Sequence, residues 1–262
     1  MQGFDEFSAA LDHAGIPPVW LTRRTRLQLD EPRRKMAHMH PFIAEDGCGV
    51  FLPEDYFHLK PQTSSTQQGK SATVRLGRFT CLPIAEQQPA AAEALEALSM
   101  ETGVSVVPLR SLSPRELAQN SGLPAREAEL SRQRDFDELF FFAGASNKDI
   151  ESFKNASRER NAKLRPHGAL WSLAIGASVR HCVTELTKLY DRALHAHAKS
   201  VALATASHEH ELFAACDRAI LLSSKQELNV EGPADRSRRV LRVPLHSPDT
   251  WEQILENLAP RS

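Results

Sequence analysis

Thirty residues, Phe136 to Arg165 (FDELFFFAGASNKDIESFKNASRERNAKLR), constrain this chain more than any other stretch. Phe136 to Ala143 reads as a buried helix, closed by the glycine-bearing turn Gly144-Ala145-Ser146. Ser146 caps a second short helix, Asn147 to Phe153, whose buried side is Ile150 and Phe153. Asn155-Ala156-Ser157 makes a second turn, Ser157 caps a basic helix over Arg158 to Arg165, and Pro166 stops it. That is the order of parts in a helix-turn-helix, whose second helix presents its exposed face to the major groove. The sequence has no glycine-rich phosphate loop, paired-cysteine metal motif or nucleophile elbow.

Charge points the same way. Between Ala145 and His167 six basic residues face the three acids Asp149, Glu151 and Glu159, a local excess of +3 in a chain whose net charge is −1. Such a balance excludes a general nucleic-acid coat and leaves room for a local phosphate patch. On this basis Lys148, Lys154 and Lys163 are expected to contact phosphates, and Arg158, Arg160 and Asn161 to read bases, with Arg165 closing the basic helix.

At these residues the chain resembles known families. GASNKDI, with Ser157 seven residues after Ile150, is similar to the helix-turn-helix of LuxR-type response regulators. GAS…SRER is also similar to the C subunit of the flagellar master activator, and to regulators carried on integrative conjugative elements, which are mobile genetic elements. The resemblance implies a DNA-contacting helix over Arg158 to Arg165 and a function in transcription regulation. A fainter helix pair, Glu116 to Leu130, carries Glu127 and Glu129 against Arg126 and reads as structural support.

The same stretch admits a second chemistry. Arg160 and His167, with six residues between them, resemble the arginine–histidine signature of HEPN ribonucleases. The resemblance implies metal-independent RNA cleavage, with His167 as acid or base and Arg160 steadying phosphate charge. A third possibility is a non-enzymatic subunit of a nucleoprotein assembly, with the apolar Leu170 to Ile175 as core or as a dimer surface.

Elsewhere the pattern is coarser. Phe4 to Ala14, Gln87 to Ser99, Pro114 to Asn120, Ala125 to Arg134 and Thr250 to Leu258 read as helices, and a long helical segment surrounds Trp171 to Ala206. Val19 to Leu29, Gly49 to Leu52, Tyr56 to Leu59, Ala72 to Ile84, Val104 to Leu109, Ala219 to Leu222 and Val240 to Leu245 read as strands, with an exposed loop at Gln62 to Lys70. The expected fold is α+β: a β-containing module over 1–110, a helical region with the helix-turn-helix over 111–206, and a mixed α/β tail over 207–262.

Two further basic runs, Arg23 to Lys35 and Arg236 to Arg242, are candidates to extend the phosphate track. Cys48, Cys81, Cys182 and Cys216 are scattered and expected to be reduced thiols. The pairs His38/His40, His195/His197 and His208/His210 are two apart, a spacing that does not chelate from a helix, so no metal or other cofactor is expected. The expected partners are duplex DNA or RNA, together with a second copy or a partner protein. No apolar run approaches the ~20 residues of a spanning helix, and no signal segment is evident, so a cytoplasmic location without membrane is expected.

Overall fold

The computed structural model describes residues 4–58, 73–168, 170–205, 210–223, 240–245, 247 and 249–258. In chain order the first elements are α1 (Phe4–His13), β1 (Trp20–Leu21), α2 (Arg26–Lys35), β2 (Phe42–Ala44), β3 (Gly49–Leu52), β4 (Val74–Leu76) and β5 (Phe79–Pro83). Then come α3 (Gln88–Thr102), β6 (Val106–Pro108), α4 (Pro114–Ser121), α5 (Ala125–Arg132), β7 (Glu138–Phe142), α6 (Asn147–Glu159), β8 (Ala162–His167) and β9 (Leu170–Ile175). The last are α7 (Val179–Leu194), β10 (Val201–Ala204), α8 (His210–Ala215), β11 (Arg218–Ser223), β12 (Val240–Pro244) and α9 (Thr250–Leu258). The chain divides into two bodies, Val19–Ser178 and Met1–Pro18 with Val179–Ser262.

The body built from the two chain ends is a three-layer α/β unit. Its parallel sheet has the order β10-β11-β12. Ile220, Leu222 and Val243 bury one face with Phe7, Leu11 and Ile254 from α1 and α9. Ala202, Ala219 and Leu221 bury the other with Phe213, Cys216 and Val183 from the α7–α8 side. Apolar residues at successive positions of β11 are what a strand covered on both faces requires.

The body Val19–Ser178 holds two sheets. The first has the order β1-β2-β3-β5-β4, parallel only between β1 and β2. Its core stacks Phe42 on Phe51, with Phe79 and Phe136 edge-on. Gly49 is required there: an added Cβ would lie 2.9 Å from the Phe136 ring. The second sheet, β6-β7-β9-β8, is antiparallel. Helices α3 and α6 cover one face through Leu95, Leu98, Phe153, Phe140 and Leu173. On the other face α4 and α5 bury Leu117 and Ala128 against Leu139 and Leu170, the supporting role expected of Glu116 to Leu130.

Several expectations fail here, each for a local reason. The helical region with a helix-turn-helix does not exist. Glu138–Phe142 is a strand, because the five-residue apolar run Leu139 to Ala143 cannot be assigned by period and phenylalanine favours the pleated sheet. Asn155-Ala156-Ser157 is no turn: one helix runs from Asn147 to Glu159, burying Phe153 and Ser157 on one face. The Ser157 hydroxyl donates to the Lys154 carbonyl (2.8 Å) from inside that helix rather than capping a new one. The supposed recognition helix is a helix end, a left-handed Asn161 (φ 54) and the strand β8. Pro166 is accommodated because β8 lies at the sheet edge. The segment around Trp171 to Ala206 is strand, helix and strand, and Val19 to Leu29 is a two-residue strand leading into α2. Gln62 to Lys70, His208 and Arg236 to Arg239 lie outside the described residues.

Candidate active site

Ligands of open α/β sheets gather beyond the carboxyl ends of parallel strands. In the body Val19–Ser178 the parallel pair β1 and β2 ends side by side, with Leu21 opposite Ile43. Thr22-Arg23-Arg24-Thr25 follows β1, and Thr25 opens α2 with a reciprocal capping box to Gln28. Glu45 and Asp46 follow β2, both left-handed at φ 50 and 57, with Gly47 at φ 93. The Glu45 amide donates to the Arg24 carbonyl (3.2 Å) and the Asp46 amide to that of Thr22 (2.9 Å), so the two turns are fastened together. Consecutive non-glycine residues at positive φ cost about 1–3 kcal/mol each, and such strain concentrates at ligand sites.

The Glu45 side chain shows what holds the turn. It is 1% exposed, and its carboxylate accepts three successive amides: Asp135 (2.9 Å) on Oε1, Phe136 (2.9 Å) and Asp137 (3.1 Å) on Oε2. These charge-assisted bonds clamp the β2–β3 hairpin to the segment entering β7. Arg134, beside them, grips Asp137 at both carboxylate oxygens and donates to the Arg23 carbonyl (2.9 Å). Burial opposes the Arg134 charge, but Asp137 and Glu45 outweigh it and hold the guanidinium protonated. Burial pushes the Asp137 carboxyl upward, Arg134 pulls it back, and Glu45 pushes it up again. Burial, then Glu45, also raises Asp135, against the pull of Arg26 at 2.8 Å.

Strand β8 brings the remaining groups. Its side chains alternate: Ala162 and Leu164 pack into the helix-covered core, which leaves Arg165 and His167 on the other face. Arg165 pairs with the Asp46 carboxylate. The His167 ring lies among Arg134, Arg23 and Asp46. Burial first, then repulsion from Arg134 and Arg23, lowers its pKa, while its own main chain and Asp46 oppose the shift. His167 is therefore neutral at pH 7, and its Nε2 is buried without a hydrogen-bond partner among the described residues. The result is a polar wall in which the charges of Arg165 and Arg23 lie near a neutral imidazole. It can hold a phosphate or carboxylate through the arginines. Phosphate chemistry often draws on a divalent cation. Among the described residues no three His, Cys, Asp or Glu side chains converge on one.

The residues singled out in the sequence are dispersed around this wall. Lys148, Lys154 and Arg158 lie on α6, Arg160 ends it, Asn161 makes the turn, and Lys163, Arg165 and His167 lie on β8. Arg160 and His167 form no site: Arg160 binds Glu101 at 2.7 Å, and the six-residue strand that separates it from His167 spans roughly 17 Å. Arg23, from the early basic run, does reach the wall. His38 and His40 are used structurally, His38 tilted against Trp20 and His40 bonded to the Tyr56 hydroxyl at 2.8 Å. All four cysteines are buried thiols. Sequence reasoning missed Glu45, Asp46, Arg134 and Asp137. The one available signal was the Glu-Asp-Gly turn between two apolar runs.

No family model matches the chain. Two curated relatives do, each a glucosyl-3-phosphoglycerate/mannosyl-3-phosphoglycerate phosphatase. That of Methanococcoides burtonii is 25% identical over 140 residues, 52% of this chain and 48% of the relative. That of Persephonella marina is 24% identical over 161 residues, 61% and 54% of the two chains. The chain thus spans about half the length of the curated relatives it matches. Among solved structures, TM0651 from Thermotoga maritima superposes with a TM-score of 0.60 over 100% of this chain and 91% of its own, at 12% identity. A haloacid dehalogenase-like hydrolase from B. subtilis gives 0.60 over 99% and 93%, at 11% identity. The fold is that of the haloacid dehalogenase-like hydrolases. A trehalose-6-phosphate phosphatase from Aspergillus fumigatus shares it, with a TM-score of 0.54 over 98% of this chain and 83% of its own, at 10% identity.

This fold replaces the expected β module, helical region and tail, and removes the likeness to LuxR-type and flagellar activators. The relatives are phosphatases, which overturns the expectations of a transcription regulator, of a HEPN-like ribonuclease and of duplex DNA or RNA as partner. Among the described residues no helix is long and apolar enough to cross a membrane.

Proposed function

We propose that this haloacid dehalogenase-like chain is a phosphatase acting on a small phosphorylated sugar or sugar acid, with the wall around Arg165 as part of its substrate site. The observation that carries the proposal is the gathering of Arg23, Arg165 and His167 beyond the carboxyl ends of β1 and β2, beside the strained Glu45-Asp46 turn. The names of the two relatives supply the substrate class.

The roles follow from charge. Phosphoryl transfer gathers negative charge on the non-bridging oxygens, and preorganised guanidiniums stabilise it without reorganising. Arg165 is held in place by Asp46, and Arg23 by the turn that Arg134 clasps through its carbonyl. Neutral His167, its Nε2 buried, lies beside them and adds no charge. Arg165→Gln should raise the KM for a phosphorylated sugar at least about tenfold with a smaller change in kcat, as loss of one charge-assisted contact gives. Equal kinetics in the variant and the parent would remove Arg165 from the site.

A further inference from the structure

The face of β8 turned away from Arg165 and His167 carries a second depression. Between α6 and the β8 edge lies a groove of about 520 Å³, bounded by Lys154, Ser157, Arg158, Asn161, Lys163 and Trp171. Two of these, Lys154 and Arg158, bring cations from α6, and no carboxylate lines the groove. Glu151 touches it only from outside, through Lys154 at 2.6 Å, with 60% of its side chain exposed. Arg158 makes no ion pair among the described residues and only a 2.9 Å bond to the neutral Asn155 amide. The opposite wall is apolar: the Trp171 indole, edge-on to Phe142 at 5.5 Å and faced by the Lys154 ammonium at 5.3 Å, continues into Leu164 and Pro166.

We infer that this groove binds a small organic phosphate with a sugar body, at a site separate from the wall on the other face of β8. Its volume lies within the range of small-molecule pockets. Lys154 and Arg158 take the phosphate, while the exposed Asn161 amide offers hydrogen bonds to hydroxyls. Trp171, Leu164 and Pro166 cover the carbon face of the sugar. One effect opposes the anion: α6 ends here, and a helix C-terminus carries about half a negative charge. The two full positive charges of Lys154 and Arg158 outweigh that half charge. The groove also gathers Lys154, Arg158, Asn161 and Lys163, whose clustering in the sequence the phosphatase site does not use.

The test is titration of the full chain with ribose 5-phosphate, ribose and inorganic phosphate, followed by tryptophan fluorescence and by calorimetry. Ribose 5-phosphate is expected to bind saturably, ribose not at all, and inorganic phosphate more weakly. Lys154→Gln/Arg158→Gln should weaken ribose 5-phosphate at least about tenfold, and Trp171→Phe should remove the fluorescence change. Read by the Trp171-dependent fluorescence change, which reports the groove, the affinity should stay within about twofold in Arg165→Gln, whatever that change does at the wall. Arg158→Gln alone, at an exposed position, provides the same comparison should the double variant fold poorly. Absent saturable binding, affinity unchanged in the α6 variants, ribose binding as well as its phosphate, or loss of the Trp171-dependent signal in Arg165→Gln would each overturn the inference.

Discussion

Glu45→Gln is the most informative single change to the framework of the site. The carboxylate accepts three amides, two on Oε2 and one on Oε1. A glutamine whose oxygen replaces Oε2 keeps the Phe136 and Asp137 amides but presents its own NH2 to the Asp135 amide. Two bonds change from charge-assisted to neutral, a loss of about 1 kcal/mol each, and one buried donor is orphaned at about 1–3 kcal/mol. Asp135 and Asp137 lose the repulsion that Glu45 imposes on them, but Arg134 loses its attraction, so these effects oppose one another. The net expectation is a loss of about 3–5 kcal/mol. Urea unfolding reads the magnitude, and hydrogen exchange by mass spectrometry reads the place: amides 135–137 should exchange faster than those of β11, which belongs to the other body. A loss below about 0.5 kcal/mol, or unchanged protection at 135–137, would refute the clamp.

Three other outcomes follow from the same framework. Arg134→Met leaves Asp137 and Glu45 buried without their cation and should cost about 3–5 kcal/mol, seen as a lower melting temperature. Gly49→Ala drives a methyl to 2.9 Å from the Phe136 ring and should cost about 1–3 kcal/mol in the same assay. His167 has a lowered folded pKa, so the unfolded chain binds more protons between that value and about 6.5. Its contribution is complete above about 6.5 and is lost as the pH falls through the folded value, whereas the raised Asp135, Asp137 and Glu138 act in the opposite direction. His167→Gln should therefore lose less stability than the parent between pH 7.5 and 5.5 (about one unit either side of the ordinary value), and equal losses would remove the effect from His167.

The sequence exposed those parts of the structure that local patterning determines. Helices such as α3 and α9 carry apolar stripes at helical spacing, and α4 has both its capping box and the left-handed Gly122 that ends it. The central error began with an ambiguity of period. Glu138–Phe142 is too short to show a helical or strand repeat, and reading it as a helix forced the following segment into a helix-turn-helix. Ser157 deepened it, because a serine that bonds back to its own helix has the same sequence appearance as a cap. Arg165, His167 and Arg23 were visible as charges, but their use was not. The contacts that give them a use join residues far apart in sequence, Glu45 to Asp135–Asp137 and Asp46 to Arg165, which no local pattern encodes.

The central claim is tested most directly by phosphate release from the purified chain, given glucosyl-3-phosphoglycerate, mannosyl-3-phosphoglycerate and a panel of simple sugar phosphates, with and without added divalent cation. Saturable release from at least one of them, with KM raised in Arg165→Gln, is the expected result. No release from any member under either condition, with the chain folded, would contradict the account.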